Sequence, residues 1–288
     1  MSETNSSAPQ AGAGPDADRA EPRTEARRVV LITGASGGIG AELARVFARH
    51  GHDLALVARS GEKLEELAAE IAAGGHTRPL VFAVDLEKEG AVNEIAAALD
   101  AAGATPEILV NNAGFGLAGE ALDLDQAEQL GIIDLNVRAA TEITLRFLPA
   151  ICHARGRILN VASLASYLPG GPRMAVYYAS KAYLLSFSRA LHQELRAQGV
   201  TVTAVCPGYT ETGFQARAGI GADMALARFG GTTAAEVAEE AYAGLMAGRR
   251  EIIPGIQNKL TVLMVPFFPV SAVLKLTSWF QESRVLQR

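Results

Sequence analysis

Short runs of apolar residues, almost without polar interruptions, recur along the chain from Arg28 onward. They alternate with longer stretches in which apolar residues follow the spacing of an amphipathic helix. Such uninterrupted runs are typical of strands that are buried on both faces of a parallel sheet. The predicted strands are 29–33, 54–58, 80–84, 108–111, 157–162, 201–206 and 251–253.

Between these strands the pattern predicts helices. The longest well-patterned one carries Leu184, Phe187, Leu191 and Leu195 on one face, which we interpret as hydrophobic core. The alternation predicts an α/β fold: a doubly wound, Rossmann-type parallel sheet of about seven strands, with helices on both faces, in a single domain. The predicted helices are 38–50, 61–73, 89–102, 124–147, 176–198 and 233–247.

Three segments differ in character. Residues 1–26 contain no Leu, Ile, Val, Phe, Trp or Tyr, so they are predicted to be a disordered N-terminal tail. This tail lacks the apolar stretch that a secretory signal peptide contains, and its acidic residues argue against a transit peptide. Residues 27–255 carry the strand–helix pattern and are expected to form the catalytic domain. Residues 256–288 are an apolar C-terminal extension.

The extension contains an uncharged run at 260–274 that two prolines interrupt. It is shorter than the roughly 20 apolar residues that span a bilayer, so no transmembrane segment is expected. Three interpretations remain: a lid on a substrate pocket, a contact between subunits, or a helix at a membrane surface, flanked by Lys259 and Lys275. We expect packing on the domain or at an oligomer interface, and hence a homodimer or homotetramer, with weak peripheral membrane contact as the alternative.

Composition narrows the class of protein. The 288 residues are 49% hydrophobic, enough for a sizeable core. A net charge of −5 argues against nucleic-acid binding, which needs clustered basic residues. Cys152 and Cys206 are the only cysteines, which excludes a disulfide framework and fits a reducing compartment, so we expect a cytoplasmic protein. The five histidines have no metal-ligand spacing, and no metal is expected.

The first predicted strand leads into a turn with Gly34, Gly38 and Gly40 in the pattern Gly-x-x-x-Gly-x-Gly, followed by a helix. Glycines let the backbone approach a pyrophosphate, and a helix N-terminus offers N–H groups and a positive dipole end. The pattern therefore indicates a dinucleotide site. A tight turn that needs glycine for steric reasons is the simpler alternative.

The end of the second strand bears on the cofactor. NAD sites usually place an acidic residue there to bind the ribose 2′-hydroxyl. Here the strand ends in Ala58-Arg59-Ser60, and Asp53 stands at its opposite end. A guanidinium beside a hydroxyl suits a 2′-phosphate, which favours NADPH over NADH. A solvated surface arginine is the alternative.

Tyr177 and Lys181 are four residues apart, and therefore on one face of a predicted helix. A nearby ammonium favours the phenolate and makes tyrosine usable for proton transfer. Tyr178 is the rival tyrosine. Ser163 follows the fifth strand, where it can hold a substrate oxygen, with Ser166 as the alternative.

Asn111-Asn112-Ala113-Gly114 ends the fourth strand, and Asn136 lies inside a predicted helix, where asparagine is a weak helix former. Together with TGASGGIG at 33–40, YYASK at 177–181 and Pro207-Gly208, these motifs resemble the short-chain dehydrogenase/reductase family over roughly residues 28–255. All occur in the family's order and at its usual intervals.

The resemblance implies catalytic roles. Tyr177 would be the proton donor in carbonyl reduction and the base in alcohol oxidation. Lys181 would hold the nicotinamide ribose and lower the pKa of Tyr177. Ser163 would bind the substrate oxygen, and Asn136 would support a water-mediated proton relay. The YxxxK spacing of the family selects Tyr177 over Tyr178.

Many NADPH-preferring members of the family carry a second basic residue in the glycine turn, where this chain has Ser36 or Gly37. The NADPH/NADP+ preference therefore rests on Arg59, and use of NADH stays open. The family's adenine contacts correspond to Asp85 and Leu86. The predicted cofactor contacts are Gly34, Ser36, Gly38, Ile39, Gly40, Arg59, Asp85, Leu86, Asn112, Ala113, Gly114, Tyr177, Lys181, Pro207, Gly208, Thr210 and Thr212.

The expected activity is hydride transfer between NADP(H) and a carbonyl or secondary alcohol of a small, apolar substrate. The rivals are a catalytically idle dinucleotide-binding or sensing protein, and an NAD-dependent sugar-nucleotide epimerase or dehydratase, whose larger C-terminal substrate domain is missing. The long loop 208–232 is expected to cover the substrate or to be scaffold. Its candidate apolar lining is Phe214, Ile220, Met224 and Phe229.

Overall fold

A computed structural model of the chain describes residues 26–219 and 231–282. Seven strands form one sheet in the order β3-β2-β1-β4-β5-β6-β7, and all neighbouring pairs are parallel. The doubly wound fold predicted from the apolar runs is therefore confirmed. The strands are β1 Arg27–Thr33, β2 Leu54–Ala58, β3 Leu80–Ala83, β4 Ala104–Asn111, β5 Arg157–Val161, β6 Thr201–Val205 and β7 Glu251–Ile252.

Helices cover both faces of the sheet. From β1 the strands are added in one direction to β3, and from β4 they are added in the other direction to β7. This reversal of the strand order opens a crevice between β1 and β4 at the carboxyl ends of the strands. The helices are α1 Gly38–Arg49, α2 Gly61–Ala73, α3 Ala91–Ala101, α4 Gln126–Ile133, α5 Ala140–His153, α6 Ala175–Glu194, α7 Phe214–Ala218, α8 Ala234–Met246, α9 Ile256–Met264 and α10 Val270–Glu282.

Two hydrophobic cores, one on each face, bury the strands. In β1, Val29 and Leu31 point into the core formed with α3, α5 and α6, and Val30 and Ile32 point into the core formed with α1, α2 and α8. Successive strand residues face opposite sides, so a strand buried on both faces has no polar positions to spare. This explains the uninterrupted apolar runs.

The predicted helix 124–147 differs in detail. It begins at Gln126, where the Asp125 carboxylate accepts a hydrogen bond from the Glu128 backbone N–H at 2.9 Å. A single π-helical turn, Asp134–Ala139, then separates α4 from α5. α5 continues through Pro149 to His153, because Phe147 and Ile151 on either side of the proline are buried in the core. Packing here overrides the helix-breaking tendency of proline.

The C-terminal extension folds as two helices, α9 and α10, which the sequence did not predict. A short 3₁₀ segment, Val265–Phe267, joins them and contains Pro266. Along the described parts of the chain, no helix combines the length and the apolar character needed to cross a bilayer. The predicted N-terminal tail, apart from Ala26, lies outside the described residues, as do Ile220, Met224 and Phe229 of the long loop.

Candidate active site

The glycine turn brings the N-terminus of α1 to the crevice. Gly34 and Gly38 have φ angles of +66° and +54°, a left-handed conformation that glycine adopts without strain. No side chain caps α1, so the backbone N–H groups of its first turn have no side-chain partner. Such a helix terminus suits an anionic group.

A cavity of about 980 Å³ extends along the carboxyl ends of the strands, from the glycine turn to Tyr177. Its walls include every predicted cofactor contact except Gly40, and three of the four predicted catalytic residues. Gly40 does not line the cavity. It packs against the glycine turn, where a Cβ on Gly40 would collide with the Gly34 carbonyl oxygen. The fourth catalytic candidate, Asn136, is fully buried behind the wall.

Where the cavity reaches the end of β2, two guanidinium groups share one carboxylate. Arg59 Nη1 lies 3.3 Å from Oε1 of Glu87, and Arg217 Nη2 lies 3.2 Å from the same oxygen. Arg217 belongs to α7 and stacks over the Phe115 ring, 3.9 Å from its centroid. Burial, and secondly the positive charge of the neighbouring Arg59, lower the pKa of Arg217.

Asp53, the acidic residue at the other end of β2, forms an ion pair with Arg27 at 2.6 Å. It takes no part in the cavity wall. The end of β2 that faces the cavity therefore carries the positive charge of Arg59, as the sequence predicted.

At the opposite end of the cavity, the Ser163 side chain lies beside the Tyr177 hydroxyl and acts to lower its pKa. Ser163 follows the end of β5 by two residues, and its Oγ accepts a hydrogen bond from the Ala165 backbone N–H at 3.1 Å. Ser166, the alternative serine, instead donates to the Lys181 carbonyl at 2.8 Å and holds α6 against the loop after β5. Ser163 is thus the serine placed beside the tyrosine.

Lys181 is buried one helical turn beyond Tyr177. Its Nζ donates to the Val161 carbonyl at 2.9 Å and lies 5.9 Å from the centroid of the Tyr177 ring. Burial lowers the pKa of Lys181 to about 8. Burial raises the pKa of Tyr177 to about 12, and the neighbouring Ser163 side chain partly opposes this increase. The net shift of Tyr177 is opposite to the lowering that the resemblance implied, because both groups lose solvation in the same pocket.

Asn136 lies in the π-helical turn, where its side chain ties three segments together. Oδ1 accepts from the Phe115 backbone N–H at 3.1 Å, while Nδ2 donates to the Phe115 carbonyl at 2.9 Å and to Ser180 Oγ at 3.0 Å. Both amide hydrogens are therefore used within the protein. The side chain holds the segment after β4 against α6, next to Lys181.

Gly114 lies between these groups, and its replacement by alanine is expected to destabilise the fold by about 1–3 kcal/mol. A Cβ at this position would come within 2.9 Å of Asn136 Oδ1 and 3.4 Å of Lys181 Nζ. Hydrogen bonds hold both side chains, so neither can move freely. Thermal unfolding measures the loss. Gly213→Ala, where a Cβ meets nothing within 4 Å, is the matched control, and an equal loss there would contradict the argument.

Tyr178, the rival tyrosine, also lines the cavity. It is buried beside Ala165 and Met174, and its hydroxyl accepts a hydrogen bond from Gln281 Nε2 of α10 at 2.9 Å. Several further side chains that the sequence did not indicate also line the cavity. These are Leu164, Leu168, Met174, Gln257, Asn258, Thr261, Thr277, Phe280 and Gln281.

Three residues of the site escaped prediction for different reasons. Glu87 follows the predicted adenine contacts directly and carries a charge, so its position was a usable signal. Arg217 lies far along the chain, in a loop with no motif, and only the folded chain brings it to Arg59. Gln281 lies in a helix that the proline-interrupted pattern concealed.

A parallel sheet with a glycine turn after its first strand, and with Ser163, Tyr177 and Lys181 along one cavity at the strand ends, is the arrangement of a nicotinamide-dependent oxidoreductase. Residues 28–223 match the family model described as short chain dehydrogenase. The chain belongs to this family.

Relatives and solved structures agree with that assignment. Sulfoacetaldehyde reductase 2 of Chromohalobacter salexigens is 39% identical over 189 residues, 65% of this chain and 74% of that protein. A short-chain dehydrogenase from Sphingobium yanoikuyae in complex with NADPH is 32% identical, with a TM-score of 0.73 over 82% of this chain and 92% of its own. 3-Ketoacyl-(acyl-carrier-protein) reductase from Brucella melitensis, complexed with NADH, is 29% identical, with a TM-score of 0.66 over 79% and 96%. These similarities support a nicotinamide cofactor, with or without the 2′-phosphate.

Proposed function

We propose that the protein is an NADP(H)-dependent carbonyl reductase for apolar substrates, with Tyr177 as the proton donor. The observation that carries the proposal is a single cavity lined by Ser163, Tyr177 and Lys181 and also by the two cations Arg59 and Arg217. These residues provide a proton for the substrate oxygen and positive charge for a phosphate.

The residues present fit a dinucleotide phosphate. The N-terminus of α1 has no side-chain cap, which leaves backbone N–H groups for a pyrophosphate. Arg59 and Arg217 would hold the 2′-phosphate, and Lys181 would hold the nicotinamide ribose. When bound, the nicotinamide supplies the hydride for reduction or accepts it in oxidation.

Tyr177 would act as the acid in carbonyl reduction. Burial raises the pKa of Tyr177 to about 12, so its phenol is protonated at neutral pH and can donate to a carbonyl oxygen. The Ser163 hydroxyl would hydrogen-bond the same oxygen and orient it. As Tyr177 loses its proton, the Ser163 hydroxyl and the nearby Lys181 ammonium would stabilise the phenolate. Any relay at Asn136 would use its backbone, since its side-chain amide hydrogens are already bonded.

The lining near Tyr177 indicates the substrate class. Leu168, Met174 and Phe214 present apolar surface beside the tyrosine. Among the described lining residues the cations are Arg59, Lys63, Lys181 and Arg217, and of these only Lys181 lies beside Tyr177. A ketone or aldehyde with apolar substituents therefore fits this end better than one with a sulfonate.

A screen of NADPH oxidation with ketones, aldehydes and quinones tests the proposal. We expect the highest kcat/KM with aryl or branched-alkyl ketones, and at least about tenfold lower values with sulfoacetaldehyde, because a buried apolar surface does not compensate an anion for its lost hydration. No turnover with any carbonyl would favour the idle dinucleotide-binding protein instead. Sulfoacetaldehyde as the best substrate would contradict the proposed substrate class.

A further inference from the structure

Helix α9 has an unusual orientation of its polar and apolar faces. Gln257, Asn258 and Thr261 line the cavity, and of these three Asn258 is partly buried while Gln257 and Thr261 stay exposed at its edge. Leu260 and Leu263 lie on the other side, with 54% and 63% of their surface exposed. A helix on a protein in water normally buries its apolar face and exposes its polar one.

Helix α10 repeats this inversion. Val273, Thr277 and Gln281 recur every fourth residue and are buried, so two of the three inward side chains are polar. Val270, Leu276 and Trp279 are exposed, Trp279 to 65%. The connection between the two helices adds Phe267 and Phe268, also exposed. We call the exposed apolar side chains of α9, α10 and their connection the outer face.

Contiguous apolar surface of this kind marks an interaction site. The charges around it indicate which kind. Lys259 and Lys275 are exposed and are the only charged residues between positions 252 and 281. Residues 252–281 therefore carry a net charge of +2, in a chain whose net charge is −5. Positive charge is thus concentrated where the apolar surface is exposed.

We propose that the outer face of α9 and α10 docks on the surface of an anionic lipid bilayer. Apolar side chains would enter the boundary between headgroups and acyl chains, while Lys259 and Lys275 would contact anionic headgroups. A second copy of the chain fits less well, because two such faces would bring together lysines with no carboxylate from 252–281 to pair them.

The dimensions of the helices fit this geometry. α9 has 9 residues and α10 has 13, which correspond to lengths of about 14 and 20 Å. Both are shorter than the roughly 30 Å hydrocarbon core, so they would lie in the plane of the interface. The inner sides of the same helices form part of the cavity wall, so the bilayer would lie close to the substrate end of the site.

The test is sedimentation of the full-length protein with vesicles. We expect binding to vesicles of phosphatidylglycerol and phosphatidylcholine, and weaker binding to phosphatidylcholine alone. Leu263→Glu combined with Phe267→Glu should lower the vesicle partition coefficient about tenfold or more. Leu122→Glu is the control, since Leu122 is 95% exposed and lies outside the outer face. All substituted side chains are exposed, and circular dichroism verifies that the variants fold.

Charge reversal tests the electrostatic part separately. Lys259→Glu should weaken binding to the anionic vesicles about fivefold or more, whereas Lys88→Glu, at an exposed position on another surface, should not. Absence of vesicle binding, or equal losses in the control variants, would overturn the proposal. Light scattering tests the alternative that a second copy of the chain covers the outer face. If the wild type is a dimer and the Leu263→Glu, Phe267→Glu variant is a monomer, the outer face is a dimer interface instead. None of these readouts depends on the proposed enzymatic activity.

Discussion

Replacing Tyr177 by phenylalanine is expected to lower kcat by about 10²–10⁴-fold, the usual contribution of a positioned general acid. The variant keeps the aromatic ring, which packs beside Phe214, and loses only the hydroxyl beside the Ser163 side chain. Cofactor affinity should therefore change little. Steady-state kinetics with the best substrate of the screen gives kcat, and fluorescence titration gives the dissociation constant of NADPH.

Tyr178→Phe is the matched control for this change. It removes a hydroxyl from the neighbouring residue of the same helix, and that hydroxyl accepts a hydrogen bond from Gln281. The expected cost is one neutral hydrogen bond, about 0.5–1.5 kcal/mol of folding stability, with kcat within a few fold of the wild type. Equal losses of kcat in the two variants would mean that Tyr177 is not the specific acid.

Arg59→Asp is expected to reverse the cofactor preference. The substitution replaces a charge-assisted bond to the 2′-phosphate with repulsion, so kcat/KM for NADPH should fall about 10- to 100-fold. The value for NADH should fall much less or rise, because an acidic residue at this position can bind the ribose hydroxyl. Parallel kinetics with the two cofactors measures the effect. A wild-type protein that uses NADH as well as NADPH would contradict the prediction.

Arg217 provides a second test of the same phosphate site. Arg217→Met removes the charge but keeps apolar contact with Phe115. We expect a weaker version of the Arg59 effect, confined to NADPH, whereas a purely structural role would lower the values for both cofactors alike. Arg78→Asp is the control, because Arg78 is an exposed arginine paired with Glu65 and lies outside the cavity wall.

The fold was predictable because strands buried on both faces have an unmistakable sequence pattern. Val29–Ile32 must be apolar throughout, since alternate residues enter two different cores. The pattern of apolar residues did not predict the two C-terminal helices, α9 and α10. Prolines in and beside the connection between α9 and α10 masked the helical periodicity, and the polar residues that face the cavity gave the helices the reverse of the expected pattern.

Motifs within short stretches of sequence identified Ser163, Tyr177 and Lys181 as residues that the fold does bring to one cavity. Such motifs do not predict contacts between residues that lie far apart in the sequence. Nothing near Arg217 in the sequence indicates that its guanidinium meets the carboxylate of Glu87, 130 positions away. The pKa of Tyr177 was also out of reach, because it depends on how deeply the fold buries the phenol.

The carboxylate of Glu87 occupies the space between the two guanidinium groups that are proposed to hold a phosphate. It therefore acts as an internal competitor, and because it is tethered, its effective concentration does not change when the protein is diluted. A ligand displaces it only by offering the two arginines more negative charge than one carboxylate does. A 2′-phosphate meets that requirement and a ribose 2′-hydroxyl does not. The affinity of Glu87 for the two arginines would therefore set the minimum negative charge of a cofactor that can displace it, and so favour NADPH over NADH.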